Sequence, residues 1–283
     1  MRTLLSKVPF FHLPEREDPA AQQRRWDNLL AAAAASEFYA GKAGETALSR
    51  ARDPATLSRI PPVELAEYYE QVHKFRNPGA KDAPRAPLHS PWKNHVVVAA
   101  VTPWFQIEGK VRLVLHLSCQ TLMESKPEAL AAPVSVLRRI AATIAAGALQ
   151  LPTLRYGLLA WTGISRPYLT SADRDLFWRT FQVPVFEQFR GFQGELLAAE
   201  CDCHDGMHVE EDFAAWEQRM DRDELLVTST GNLRYPVLRL ATGLRGRLDR
   251  SPCPCGRTEP RLRDLGQARL TPAGESRGAI AAV

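Results

Sequence analysis

Apolar positions recur at three- and four-residue steps from Asp18 to about Tyr39 (Trp26, Leu29, Leu30, Ala33, Ala34, Phe38), which predicts an amphipathic helix stopped by Gly41 and Gly44. A second helix is expected after Ile60-Pro61-Pro62, through Leu65, Tyr68, Tyr69 and Val72, ending at the turn signal Asn77-Pro78-Gly79. The proline-rich stretch from Pro78 to Pro91 reads as a connection.

Beyond it, His95 to Thr102 and Val111 to Ser118 are rich in Val and Leu and predict two strands, read as a hairpin about Gly109. A long helix is expected over Ala129 to Leu149, with Pro133 delaying its start. Tyr156 to Trp161 and Val183 to Phe186 then read as strands, with a helix over Ser171 to Phe181 between them. Strand-like pieces follow at Glu224 to Thr228 and Val237 to Leu240, and the chain after Gly266 reads as a frayed tail.

Strands alternating with helices predict an α/β fold with parallel pairing. The expected division is a helical segment over 1–80, an α/β domain over 81–262 and a tail over 263–283. Trp161, Trp178, Phe181, Phe186 and Phe189 are expected to fill the core.

Composition narrows the function classes. Hydrophobic residues at 45% and charged residues at 24% fit an ordinary globular chain. The net charge of +4 comes from scattered arginines rather than a basic block, which argues against nucleic acid as a partner. The apolar stretch from Ile140 to Leu151 falls short of the roughly 20 residues of a membrane span. Lys7, Pro9 and the charged run from Glu15 to Asp18 interrupt any signal-peptide core, so the expected location is the cytoplasm.

Four of the five cysteines form two tight pairs, Cys201-Asp202-Cys203-His204 and Cys253-Pro254-Cys255-Gly256. Cys201 with His204 supplies a C-x-x-H half and Cys253 with Cys255 a C-x-C half, together one closed Cys3His site for structural zinc. Cys203 or His208 could replace one ligand. Buried free thiols or a disulfide are the other readings, and a cytoplasmic setting disfavours the disulfide.

The segments Ala199-Glu200-Cys201, His204-Asp205-Gly206-Met207-His208-Val209-Glu210-Glu211-Asp212-Phe213, Asp223 to Thr228, Tyr235-Pro236-Val237-Leu238-Arg239 and Pro252-Cys253-Pro254-Cys255-Gly256-Arg257-Thr258 carry a likeness. In order and spacing the chain resembles the phenylacetate-CoA ligase family and its coenzyme F390 synthetase relatives, from about Ile60 to Pro260. The resemblance implies part of the large domain of an adenylate-forming enzyme: a mixed sheet with flanking helices and zinc-bound loops. It also implies ATP with magnesium and CoA as cofactors, and activation of a carboxylic acid as an acyl adenylate.

Against that implication stand three departures. Asn77 to Leu122 holds no Gly/Ser/Thr-rich run of the kind that cradles a triphosphate. Ala241-Thr242-Gly243-Leu244 stands where the family has Arg-Thr-Gly-Asp, and leucine cannot accept the ribose hydroxyls. Only Arg261 to Val283 follow Pro260, where the family carries a small domain with a catalytic lysine. The family's Tyr-Gly-x-x-Glu corresponds to Phe189-Arg190-Gly191-Phe192-Gln193-Gly194-Glu195 with its register off by one. Glu195 is thus the candidate catalytic, magnesium-assisting carboxylate or else a solvated loop acid, and Arg239 and Thr242 are the candidate cofactor contacts.

The expected function is therefore a reduced, non-adenylating relative that binds an acyl or aromatic carboxylate, an acyl carrier or a partner protein. The alternative is a ligase or acyltransferase component completed by a companion chain; a homodimer is a further open state.

Overall fold

A computed structural model of the chain describes residues 18–41, 48–49, 54–80, 91–92, 96–101, 111–114, 118–164 and 168–267. The expected tail beyond 267, residues 81–90 of the expected connection, and much of the region read for a phosphate loop (93–95, 102–110 and 115–117) lie outside the described residues.

Helix α1 spans Pro19–Ala34, with Asp18 accepting a hydrogen bond from the Ala20 amide and proline at its first position. It buries Trp26, Leu29, Ala32 and Ala33, the three-and-four pattern of the sequence. The second expected helix is shorter: α2 covers Leu65–Glu70 and passes into a 3-10 turn over Val72–Phe75.

Strands β1 (Val98–Ala100), β2 (Val111–Leu113), β3 (Ala129–Pro133), β4 (Gly157–Gly163) and β5 (Val185–Arg190) form the parallel half of a nine-stranded sheet. β1 and β2 pair in parallel, Val98 opposite Val111, so the expected hairpin is corrected to a crossover. The long helix expected from Ala129 is corrected too, because Ala129–Pro133 is a buried strand and helix α4 runs Val134–Ala145 after the short helix α3, Cys119–Glu124. Small apolar residues there suit a strand covered on both faces: Leu130, Ala132, Leu158 and Ala160 pack toward the helices, while Ala129, Ala131, Leu159 and Trp161 pack toward Trp92 and Phe186.

Helix α5 fills the expected span, Ser171–Phe181, because Thr170 and Asp173 form a capping box and Gln182 closes it in the left-handed region at φ 55°. Arg138 of α4 grips Asp173 at 2.6 and 2.8 Å, fixing the two helices side by side. Trp178 on α5 is 56% exposed and does not join the core.

The sheet continues antiparallel through β6 (Leu196–Glu200), β7 (Met207–Val209), β12 (Arg261–Gln267) and β11 (Leu244–Asp249), giving the order β11-β12-β7-β6-β5-β4-β3-β1-β2. A second antiparallel sheet has the order β10-β9-β8, from Ala214–Arg219 (β8), Glu224–Ser229 (β9) and Leu240–Ala241 (β10). Trp26, Leu29, Leu57, Tyr68 and Phe75 share one core with residues of β6 to β12, among them Leu197, Met207, Trp216 and Leu262. Among the described residues no helix is long and apolar enough to cross a membrane.

Candidate metal centre

Two connections in the antiparallel half of the sheet come together beside β7 and β12. Cys201 follows β6 directly, and its loop returns through Gly206 into β7; Cys253 and Cys255 sit in the connection between β11 and β12. Gly206 has φ +86°, and a Cβ there would stand 2.6 Å from the Leu262 carbonyl, so this return requires glycine.

Cys201, His208, Cys253 and Cys255 converge, with all four donor atoms within 4.8 Å of one another. The Cys201 and Cys253 sulfurs are 3.7 Å apart, and Cys255 Sγ lies 3.4 Å from His208 Nε2. Tetrahedral zinc with bonds of about 2.3 Å to sulfur and 2.0 Å to nitrogen places such donors about 3.8 and 3.5 Å apart. The donor set and its spacing therefore fit zinc. His208 Nδ1 lies 3.3 Å from the Glu259 carbonyl; with the proton on Nδ1, Nε2 keeps a free lone pair.

Burial first, then the charge of Arg257, lowers His208 to about 4, so its imidazole is neutral at neutral pH. Burial raises the Cys201 thiol. Arg257 pairs with Glu210 and Glu259 on the rim, at 3.4 and 3.1 Å.

The structure gathers three of the four sequence-derived ligands and places His208 beside them in preference to His204. His204 is turned away at φ 51°, its ring stacked on Phe186 at 5.0 Å and its Nδ1 3.6 Å from Glu200. Cys203 is exposed and forms a second group with Cys201 and Asp202.

The remaining candidates sit elsewhere and are held by internal bonds. Glu195 is 8% exposed rather than solvated: its carboxylate accepts from the Ser229 hydroxyl at 2.9 Å and the Gln193 amide at 2.9 Å. Burial raises its pKa. A Cβ on Gly191 would lie 2.1 Å from Glu195 Oε1, and Tyr68 stacks on Phe192 at 5.0 Å, so the loop closes tightly over the acid. Arg239, at φ 54°, donates to Glu217 at 2.9 Å and to the Ile60 carbonyl, while its amide donates to Thr228. The Thr242 hydroxyl donates to the Leu225 carbonyl at 2.7 Å and accepts from the Leu244 amide at 3.2 Å.

Sequence reasoning passed over a buried acidic pair. Glu187 on β5 accepts from Thr162 at 2.8 Å, and the Glu187 amide donates to Glu200 at 2.7 Å. Arg174 of α5 bonds Glu200 at 2.6 Å and lies 3.5 Å from Glu187. The two acids lie one residue beyond the Gln188–Ala199 pair on the neighbouring strands β5 and β6, a signal visible only once β6 is recognised.

No protein-family model and no curated protein matches the chain. Solved structures do. An open conformation of 2-hydroxyisobutyryl-CoA ligase in complex with 2-HIB-AMP and CoA aligns with a TM-score of 0.64 at 15% identity, over 91% of this chain and 74% of that one. The same ligase in its thioesterification state, also with 2-HIB-AMP and CoA, aligns with a TM-score of 0.64 at 16% identity, over 90% and 69%. The chain has the α/β fold of the large domain of adenylate-forming enzymes.

Proposed function

We propose that this chain is a zinc-stapled relative of the phenylacetate-CoA ligase-like enzymes that binds an acyl or aromatic carboxylate, or a protein partner, without adenylating it. The observation that carries this reading is the internal commitment of the residues nearest the family's nucleotide motifs. Arg239 ties the 58–60 segment to β8, Thr242 caps a strand junction, and Glu195 is closed off by Ser229, Gly191 and the Tyr68–Phe192 stack. Freeing Glu195 or Thr242 for a nucleotide would break a buried hydrogen bond, a cost of about 1 to 3 kcal/mol each, and freeing Arg239 would break its Glu217 pair.

Cys201, His208, Cys253 and Cys255 would hold zinc. Four protein ligands leave no position for a water, so the ion's contribution is to join the two loops, as in closed structural sites.

Calorimetric titration of the zinc-loaded protein with Mg-ATP, paired with a pyrophosphate-exchange assay on aryl and short-chain acids, tests the reading. The expected result is no heat from Mg-ATP and no exchange. Exchange by the isolated chain would return it to the ligases. Exchange that arises only on mixing with a companion polypeptide would replace this reading with that of a divided ligase.

A further inference from the structure

The β7–β12 ladder sets the two ligand-bearing hairpins side by side, and side chains tie their loops to each other. Arg261, the first residue of β12, has a fully buried side chain, 2% exposed. In the ladder it stands opposite His208 itself.

Its guanidinium reaches both loops at once. Nη1 donates to the Asp205 carbonyl at 3.1 Å and to Asp205 Oδ2 at 2.6 Å, in the loop that begins at Cys201. Nη2 donates to Asp249 at 3.4 Å and to the Ser251 carbonyl and hydroxyl at 3.3 and 3.0 Å, in the loop that leads to Cys253. Arg263, two residues along the same face, repeats the span with Asp205 at 2.6 Å and Asp249 at 2.9 Å.

We infer that Arg261 is a positioning residue for the metal centre, its planar fork locking the two ligand-bearing loops together so that the donors converge before an ion arrives. This rests on the metal reading above. A buried guanidinium that satisfies two separate loops is suited to this in a way an ammonium is not, because five donors are fixed in one plane. Partners of this outer kind characteristically change metal affinity by 10- to 100-fold when removed.

The test is Zn2+ affinity by competition with a chromophoric chelator at constant pH, on the full chain, with the visible spectrum of the Co2+-substituted protein as a second readout. Arg261→Met is expected to weaken zinc binding about 10- to 100-fold while the cobalt spectrum stays tetrahedral. Arg261→Lys is expected to recover little of the loss, since one nitrogen cannot span both loops. Adding Asp205→Ala to Arg261→Met is expected to cost less than its single effect, the signature of a shared contact. Arg138→Met, which removes the Asp173 pair between α4 and α5, is expected to leave zinc affinity unchanged.

Wild-type affinity in Arg261→Met would overturn the inference while leaving the metal reading intact; failure of the wild-type chain to bind zinc would overturn the metal reading first. Should Arg261→Met fail to fold by far-UV circular dichroism, Asp205→Ala decides: a drop beyond about threefold supports the role and wild-type affinity overturns it.

Discussion

His208→Ala is expected to lose stoichiometric zinc and to melt about 8 to 16 °C below the zinc-loaded wild type, whereas His204→Ala is expected to keep its zinc. The two histidines are four residues apart, yet only His208 Nε2 points at the thiols, 3.4 Å from Cys255. An ion that binds the folded form alone adds about 4 kcal/mol of stability when free zinc stands a thousandfold above Kd. For chains of this size each kcal/mol moves Tm by about 2 to 4 °C. Metal analysis by plasma mass spectrometry and a thermal melt check both halves. Chelation of wild-type protein should reproduce the His208→Ala melt, which separates loss of the ion from loss of the ring. Zinc retained in His208→Ala and absent from His204→Ala would reassign the fourth ligand.

Why His208 rather than His204 lies beside the thiols is a matter of local geometry. A C-x-x-H spacing suits a tight turn, and His204 does occupy one, but its left-handed backbone swings the ring onto Phe186. His208 sits in a strand whose neighbours Met207 and Val209 both face the core, so alternation sends its side chain to the opposite face, where the cysteines lie. That signal was present but depended on recognising a three-residue strand.

The same holds for the fold. α1 and α5 were legible because periodicity, proline and the Thr170–Asp173 box all agree. β3 reads as the start of a helix because Ala129 to Ala132 carry no β-branched residue, and only burial on both faces explains a strand there. β11 and β12 interleave arginine and aspartate with leucine, a pattern that reads as loop until the charges are seen to pair across strands, Arg263 with Asp249 above all. Resemblance points to Glu195, but its carboxylate is held by Ser229, 34 residues away. No local pattern encodes that contact.

Raising the pH from about 5.5 to about 8.5 is expected to destabilise the wild type, and Glu187→Gln is expected to remove much of that slope. Burial first, then the neighbouring charge of Glu200, lifts Glu187 from 4.5 to about 7. Thr162 and Arg174 oppose the shift without cancelling it. A carboxyl whose folded pKa is raised binds its proton more tightly when folded, so its contribution is complete below about 4.5 and is lost as pH climbs through about 7. The difference corresponds to at most about 3 kcal/mol. Glutamine keeps an acceptor for the Thr162 hydroxyl and carries no charge to place beside Glu200, so it mimics the protonated acid at every pH. Urea unfolding at the two pH values, read as midpoints with constant slope, makes the comparison. The variant should exceed the wild type at both pH values, by about 1 kcal/mol at the lower and by about 3 kcal/mol at the higher. Equal pH slopes in the two proteins would mean that Glu187 stays ionised in the folded chain, its charge held by Arg174 across the 3.5 Å that separates them.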